Sequence, residues 1–220
     1  MPCRSCPPLV CLLILAGCTA LAEPPDALPP VPEIAVAHAS APPMMTAAED
    51  DPAWTAATEI DHLPLSPGEY PPGAAAAPTR VLLLWDAEGL YVRFVCRDDD
   101  PYSPHGSTRD AHHHEGDVVE VFLDPVGDAR QWYEIQASPA GGVLDQVTLM
   151  TADPESGPKG ILDRPSHREM WAFVAYDMAD LRIAVGETEG GWIADIALPA
   201  QAIRRRMAGQ YSLLWVLTAA

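Results

Sequence analysis

The chain is short of basic residues, of long apolar runs and of every motif that marks a familiar reaction centre. It has 13 Lys and Arg against 31 Asp and Glu, a formal net charge of -18. Nucleic acid is held through its phosphates by Lys and Arg, so it is excluded as a partner. The apolar run Leu9 to Leu15 falls well below the roughly 20 residues that a spanning helix needs. No Gly-rich phosphate loop, nucleophile elbow, His-Glu-x-x-His or paired-Cys metal motif is present. Nothing in the spacing of the acids singles out the acid and base of a glycosidase pair. The expectation is a protein without catalysis of its own.

What the first residues do contain is Arg4, the short apolar run, and then Leu15-Ala16-Gly17-Cys18. A charged start, a brief apolar core and small residues before a cut describe a secretory signal. A Cys directly after Leu-Ala-Gly resembles the lipobox of bacterial lipoproteins. That resemblance implies cleavage after residue 17 and acylation of Cys18, so that lipid and not a spanning helix attaches the protein to the cell envelope. Thr19 in the next position implies the outer membrane. Cys3, Cys6 and Cys11 leave with the signal and Cys18 takes lipid, so only Cys96 remains and no internal disulfide is expected. Losing Arg4 leaves 12 basic residues against 31 acids, about -19, and such a surface is not drawn to anionic headgroups.

Residues 19 to 47 carry seven prolines and eight alanines with few large apolar groups, which predicts an extended tether over residues 18–47. From residue 48 the tryptophans begin, and residues 48–220 are long enough for one core. Period-two alternation predicts strands at Leu90 to Cys96, Val118 to Leu123, Trp132 to Ala137, Trp171 to Tyr176, Leu181 to Val185 and Trp192 to Leu198. Only Pro199 to Met207 reads as a helix. Short strands, Gly-rich turns and little helix define an all-β chain, a two-sheet antiparallel sandwich.

Glu120 shares its strand face with Val118 and Phe122, so its carboxylate is partly buried and needs donors. A hydroxyl-rich ligand, a backbone amide or a neighbouring Arg such as Arg93 would each supply them. Asp98-Asp99-Asp100, His105, Asp110, His112, His113, His114, Glu115 and Asp117 crowd one long loop. Oxygen ligands such as Asp98 and Asp100 suit calcium, and imidazoles such as His112 suit zinc or copper, but no spacing is diagnostic and a solvated loop is the favoured reading. Cys96 alternates with Leu90, Val92 and Phe94 as a small core hydrophobe would. Trp85, Trp192 and Trp215 alternate with aliphatics as core residues, whereas Trp54, Tyr70, Tyr102 and Trp132 sit nearer turns, where an exposed ring can meet a sugar face.

Four segments in order resemble carbohydrate-binding module family 9: Asp51 to Trp54, Val81 to Val92, Gly116 to Asp124 and Gly191 to Pro199. The resemblance covers roughly residues 48 to 217. It implies a sugar-binding sandwich, structural calcium, and association with polysaccharide-degrading enzymes. It places Glu120 on the family's sugar-binding glutamate, with His114 where a stacking Trp stands six residues earlier. The second stacking Trp would follow Tyr211 to Leu217, and Ala220 comes first, which leads to the expectation of a remodelled or incomplete slot. The leading reading is a non-catalytic saccharide-binding lipoprotein with Glu120, His114, Tyr102 and Arg93 at its site. The alternatives are a haem- or metal-binding module using the His-rich loop with Met170, Met178 or Met207, and a surface scaffold.

Overall fold

The structure, a computed structural model, describes residues 33–60, 63, 78–125, 130–151 and 169–203. Residues 1–17, Cys18, Tyr70, Met207, the segment Tyr211 to Leu217 and Trp215 lie outside them. Ten strands form two sheets among the described residues. The first holds β1 (Ala37–His38), β2 (Thr58–Ile60), β3 (Thr79–Trp85), β4 (Gly89–Arg97), β9 (Arg182–Thr188) and β10 (Gly191–Pro199), ordered β1-β3-β4-β10-β9 with β2 also on β3. The second holds β5 (Val119–Leu123), β6 (Gln131–Ala137), β7 (Val143–Thr151) and β8 (Glu169–Phe173) in sequential order. Every pairing is antiparallel except β1 with β3. The chain is an all-β sandwich, as its alternation predicts. Among the described residues no helix is long and apolar enough to cross a membrane.

Because side chains alternate across a strand, each sheet turns one set of residues to the other. Val81, Leu83, Val92, Phe94, Ala194 and Ile196 meet Val119, Val121, Tyr133 and Ile135 in one buried cluster. Burying each large aliphatic or aromatic side chain contributes about 1.5–3 kcal/mol, so this shared core outweighs any single polar contact. Cys96 belongs to it, as expected, and burial pushes its thiol up to about 12, which keeps it protonated and unreactive. Trp192 is also in the core, but Trp85 is 43% exposed at the end of β3, where its indole nitrogen donates to the Val36 carbonyl at 3.0 Å. Met178 is buried in the same core.

Residues from Ala35 onward belong to the compact unit, so part of the segment expected to be tether is built into the fold. Ala39 donates to the Trp85 carbonyl at 2.8 Å beside β1, and Ala47 donates to Asp195 Oδ2 at 2.9 Å. Asp51 caps a 3-10 helix, Pro52–Ala56, by accepting from Ala53 at 3.0 Å, and also accepts from Met44 at 2.9 Å. This strap packs Ala39 and Trp54 on the outer face of the first sheet, against Leu84, Tyr91 and Ala197. Small alanines, which read as lack of core material, are what let the strap lie flat. A Cβ at Gly186 would come within 3.0 Å of the Ala47 carbonyl oxygen.

Beneath the strap Arg93 and Asp195 stand opposite each other on β4 and β10. Arg93 Nε donates to Asp195 Oδ1 at 2.6 Å and Nη2 to Oδ2 at 2.8 Å, and the guanidinium lies 4.7 Å from the Trp54 ring. Removing one partner of a buried pair strands the other's charge, at a cost of about 3–5 kcal/mol. Asp195→Ala is therefore expected to lower stability by that amount in urea unfolding, and Arg93→Met combined with Asp195→Leu to lose less than Asp195→Ala alone. A loss below about 1 kcal/mol, the scale of a surface pair, would show that the strap is held by other means.

Candidate functional site

With Val119, Val121, Tyr133 and Ile135 committed to the core, the even-numbered residues of β5, β6 and β7 face outward. Register sets Glu120 opposite Gln136, and Glu134 opposite Gln146. Gln136 Nε2 donates to Glu120 Oε1 at 2.7 Å and to Glu134 Oε1 at 2.8 Å, while Gln146 Nε2 donates to Glu134 Oε2 at 2.6 Å. The result is a ladder of alternating carboxylates and amides across three strands. Glu120 is 8% exposed and Gln136 3%. Three more polar atoms of this face, Gln136 Oε1, Thr148 Oγ1 and the Trp132 indole nitrogen, are buried without a hydrogen-bond partner, which leaves hydrogen-bonding capacity unspent. Glu120 was legible from its strand; Glu134, Gln136 and Gln146 were not, although Trp132-x-Glu134-x-Gln136 carries the same period-two signal.

The loop from Asp98 to Asp117 runs into β5. Tyr102 is 61% exposed, and its backbone is clasped to Asp117: Tyr102 N donates to Asp117 Oδ2 at 2.5 Å and Asp117 N to the Tyr102 carbonyl at 2.8 Å. His114 is exposed in a 3-10 turn, His113–Glu115, and its ring meets His112 edge-on at 5.4 Å. His105 Nε2 lies 2.8 Å from Glu115 Oε2. His113 is the inward member, 2% exposed with Nε2 unpartnered, and a Cβ on Gly142 would collide with its ring. Arg109 anchors the loop from outside through Asp145 and Asp177, and Asp145, fully buried in β7, also accepts from Met178 N. Burial raises the Asp145 carboxyl above its usual value, opposed by the Met178 amide and by Arg109.

Two expected assignments are corrected. Arg93 is no sugar contact, since it is sealed under Trp54 on the outer face of the first sheet, with the whole core between it and Glu120. Trp54, read as a turn residue, is 5% exposed there. Asp98, Asp100 and His112 do not form a metal centre either: among the described residues no three His, Cys, Asp or Glu side chains converge as ligands. Asp98 Oδ1 accepts from Asp100 N at 3.0 Å. Asp117 is pushed up first by burial and further by Asp98, with which it shares a hydrogen bond.

A two-sheet sandwich with a carboxylate and amide ladder on one outward face defines a β-sandwich ligand-binding domain. The chain belongs to the carbohydrate family 9 binding domain-like family, whose model matches residues 47–214. Membership supports carbohydrate binding and a saccharide ligand. No curated protein matches the chain.

Burial lowers the His113 pKa, with His105 and His114 adding to the shift and the Thr108 backbone and Asp110 opposing it. The fold therefore favours the neutral ring. Its stabilising contribution is complete above the unfolded value and is lost as pH falls below about 6.5 toward the lowered folded value. Between about pH 7.5 and 5 the melting temperature of the wild type is expected to fall more than that of His113→Phe. Parallel falls in both would remove His113 as the cause.

Proposed function

We propose that the chain is the non-catalytic saccharide-binding domain of an exported lipoprotein, held to the envelope by lipid on Cys18 and working beside a polysaccharide-degrading enzyme. The observation that carries the binding site is the position of Glu120. On the outward face of β5 it is oriented by Gln136, and the family resemblance implies that it is the sugar-binding glutamate. Carboxylates accept from sugar hydroxyls, and the amide and indole groups around them give or take the remaining hydrogen bonds. Tyr102 and His114, both exposed on the loop that leads into β5, are the rings available for an apolar sugar face. With two glutamates in the ladder and a net charge of -18, the ligand is a neutral or amino sugar and not a uronate or sulfated chain.

Calorimetric titration of the protein with neutral oligosaccharides tests this. Glu120→Ala is expected to weaken binding by about ten- to a hundredfold, the worth of a hydrogen bond to a charged group at about 1.5–3 kcal/mol, with unchanged circular dichroism. Uronate-containing chains should bind more weakly than neutral ones, by a margin that shrinks as salt is raised. Binding that Glu120→Ala leaves untouched would sink the site. The anchor has its own test: radiolabelled palmitate is expected in the membrane fraction with the wild type and absent with Cys18→Ser, and equal labelling would reject the lipoprotein reading.

A further inference from the structure

The strap does not cover all of the first sheet. One cross-strand row of its outer face runs Leu84, Tyr91, Ala197, Arg182; the strap packs on the first three, which are buried, and leaves the exposed Arg182 end open. Where β4 begins and β10 ends, an open cleft of about 550 Å³ lies between Glu88, Tyr91, Asp180, Arg182, Ala197 and Gln201. That volume is within the range of small-molecule sites, about 300–1,000 Å³. Ala197 is the reason for the space, because it stands between Tyr91 and Arg182 in register and offers only a methyl group.

The floor of the cleft is fixed. Tyr91 is 1% exposed, and its hydroxyl donates to Asp86, both of whose carboxylate oxygens lie at 3.0 Å. Burial, and then that bond, push the phenol well above its ordinary range, so it remains a donor. The rim alternates in sign: Glu88, Arg182, Asp180. Arg182 is exposed and makes no ion pair among the described residues. Gln201 Nε2 donates to Asp180 Oδ2 at 2.6 Å. Asp180 holds a φ of 64°, the left-handed turn conformation that Asp adopts readily, and this fixes its carboxylate at the rim.

We propose that this cleft is a second saccharide site, on the opposite side of the sandwich from Glu120. Sugar hydroxyls donate to the Glu88 and Asp180 carboxylates and accept from the Arg182 guanidinium. Two carboxylates against one guanidinium repel phosphate and uronate, and a narrow floor of one methyl group and one tyrosine gives a purely apolar ligand little to bury. The site shares its ligand class with the Glu120 ladder and none of its residues.

Calorimetric and NMR titrations with cellobiose, xylobiose and chitobiose test it on the full chain, comparing the wild type, Glu120→Ala, and the double variant Arg182→Ala with Gln201→Ala. Both altered cleft residues are exposed, so the fold is expected to hold, as circular dichroism checks. The expected result is two binding sites in the wild type, one remaining in each variant, and none when all three substitutions are combined. Sugar-induced shifts at Ala197 and Arg182 amides should persist in Glu120→Ala. A single site abolished by Glu120→Ala, binding indifferent to the double variant, or no binding of any of these sugars overturns the proposal. Binding lost in the double variant but untouched by Glu120→Ala leaves the cleft standing and rejects the ladder.

Discussion

A carboxylate taken out of water has to find donors inside the protein, and four of the five buried acids among the described residues show how much of this fold is arranged around that need. Asp51, Asp145 and Asp195 are at most 5% exposed and Glu120 is 8%. Desolvating an unpaired carboxylate costs several kcal/mol, more than one buried aliphatic side chain contributes. Each acid therefore dictates what lies over it. Asp195 needs Arg93 and the Ala47 amide, so the strap crosses the first sheet at that point. Asp51 collects the Met44 and Ala53 amides and folds the strap on itself. Asp145 takes Arg109 and the Met178 amide, which ties two loops to β7.

Glu120 has a neutral amide among its partners. Asp195 and Asp145 are matched by guanidinium groups, whereas Glu120 takes the neutral Gln136 amide, which itself bridges to Glu134. A ladder fixed on three strands keeps its geometry, while Tyr102 and His114 ride on a loop whose attachments are the Asp117 clasp, the Arg109 anchor and the enclosed His113 ring. Rigid polar groups with adjustable rings beside them suit recognition of a hydroxylated ring that presents one face to stack and one edge to hydrogen-bond.

Period two made most of this readable. Leu90 to Cys96 and Trp192 to Leu198 are apolar at every position but Arg93 and Asp195, and both strands stand where they are predicted. β7 escaped because Val143 to Thr151 carries Asp145, Gln146 and Thr148 in succession, so neither face looks apolar even though Asp145 is fully buried against Arg109. The partner of Arg93 was legible in principle: Asp195 sits in an apolar strand as Glu120 does. An acid in an apolar strand needs donors of some kind, and one-dimensional spacing does not say which sheet each strand joins. Assigning Arg93 to Glu120 crossed the core. The strap was unreadable for a different reason, since its alanines bury little area each and its hold comes from backbone hydrogen bonds and from Asp195.

The ladder also bears on how tightly one sugar can be held. Both Glu134 oxygens already accept amide hydrogens, and Glu120 Oε1 accepts one as well. An arriving hydroxyl adds to or displaces bonds that exist, and it gives up its own bonds to water, so the net gain per contact is about 0.5–1.5 kcal/mol for neutral groups. A single ring engaged this way binds weakly after the cost of immobilising it. Polysaccharides, however, repeat. Two contacts on one domain, as proposed for the two outer faces, would multiply weak contacts into avidity about 10²–10⁴ times either alone. Weak single sites then suffice, because a repeating chain released from one contact is still held by the other.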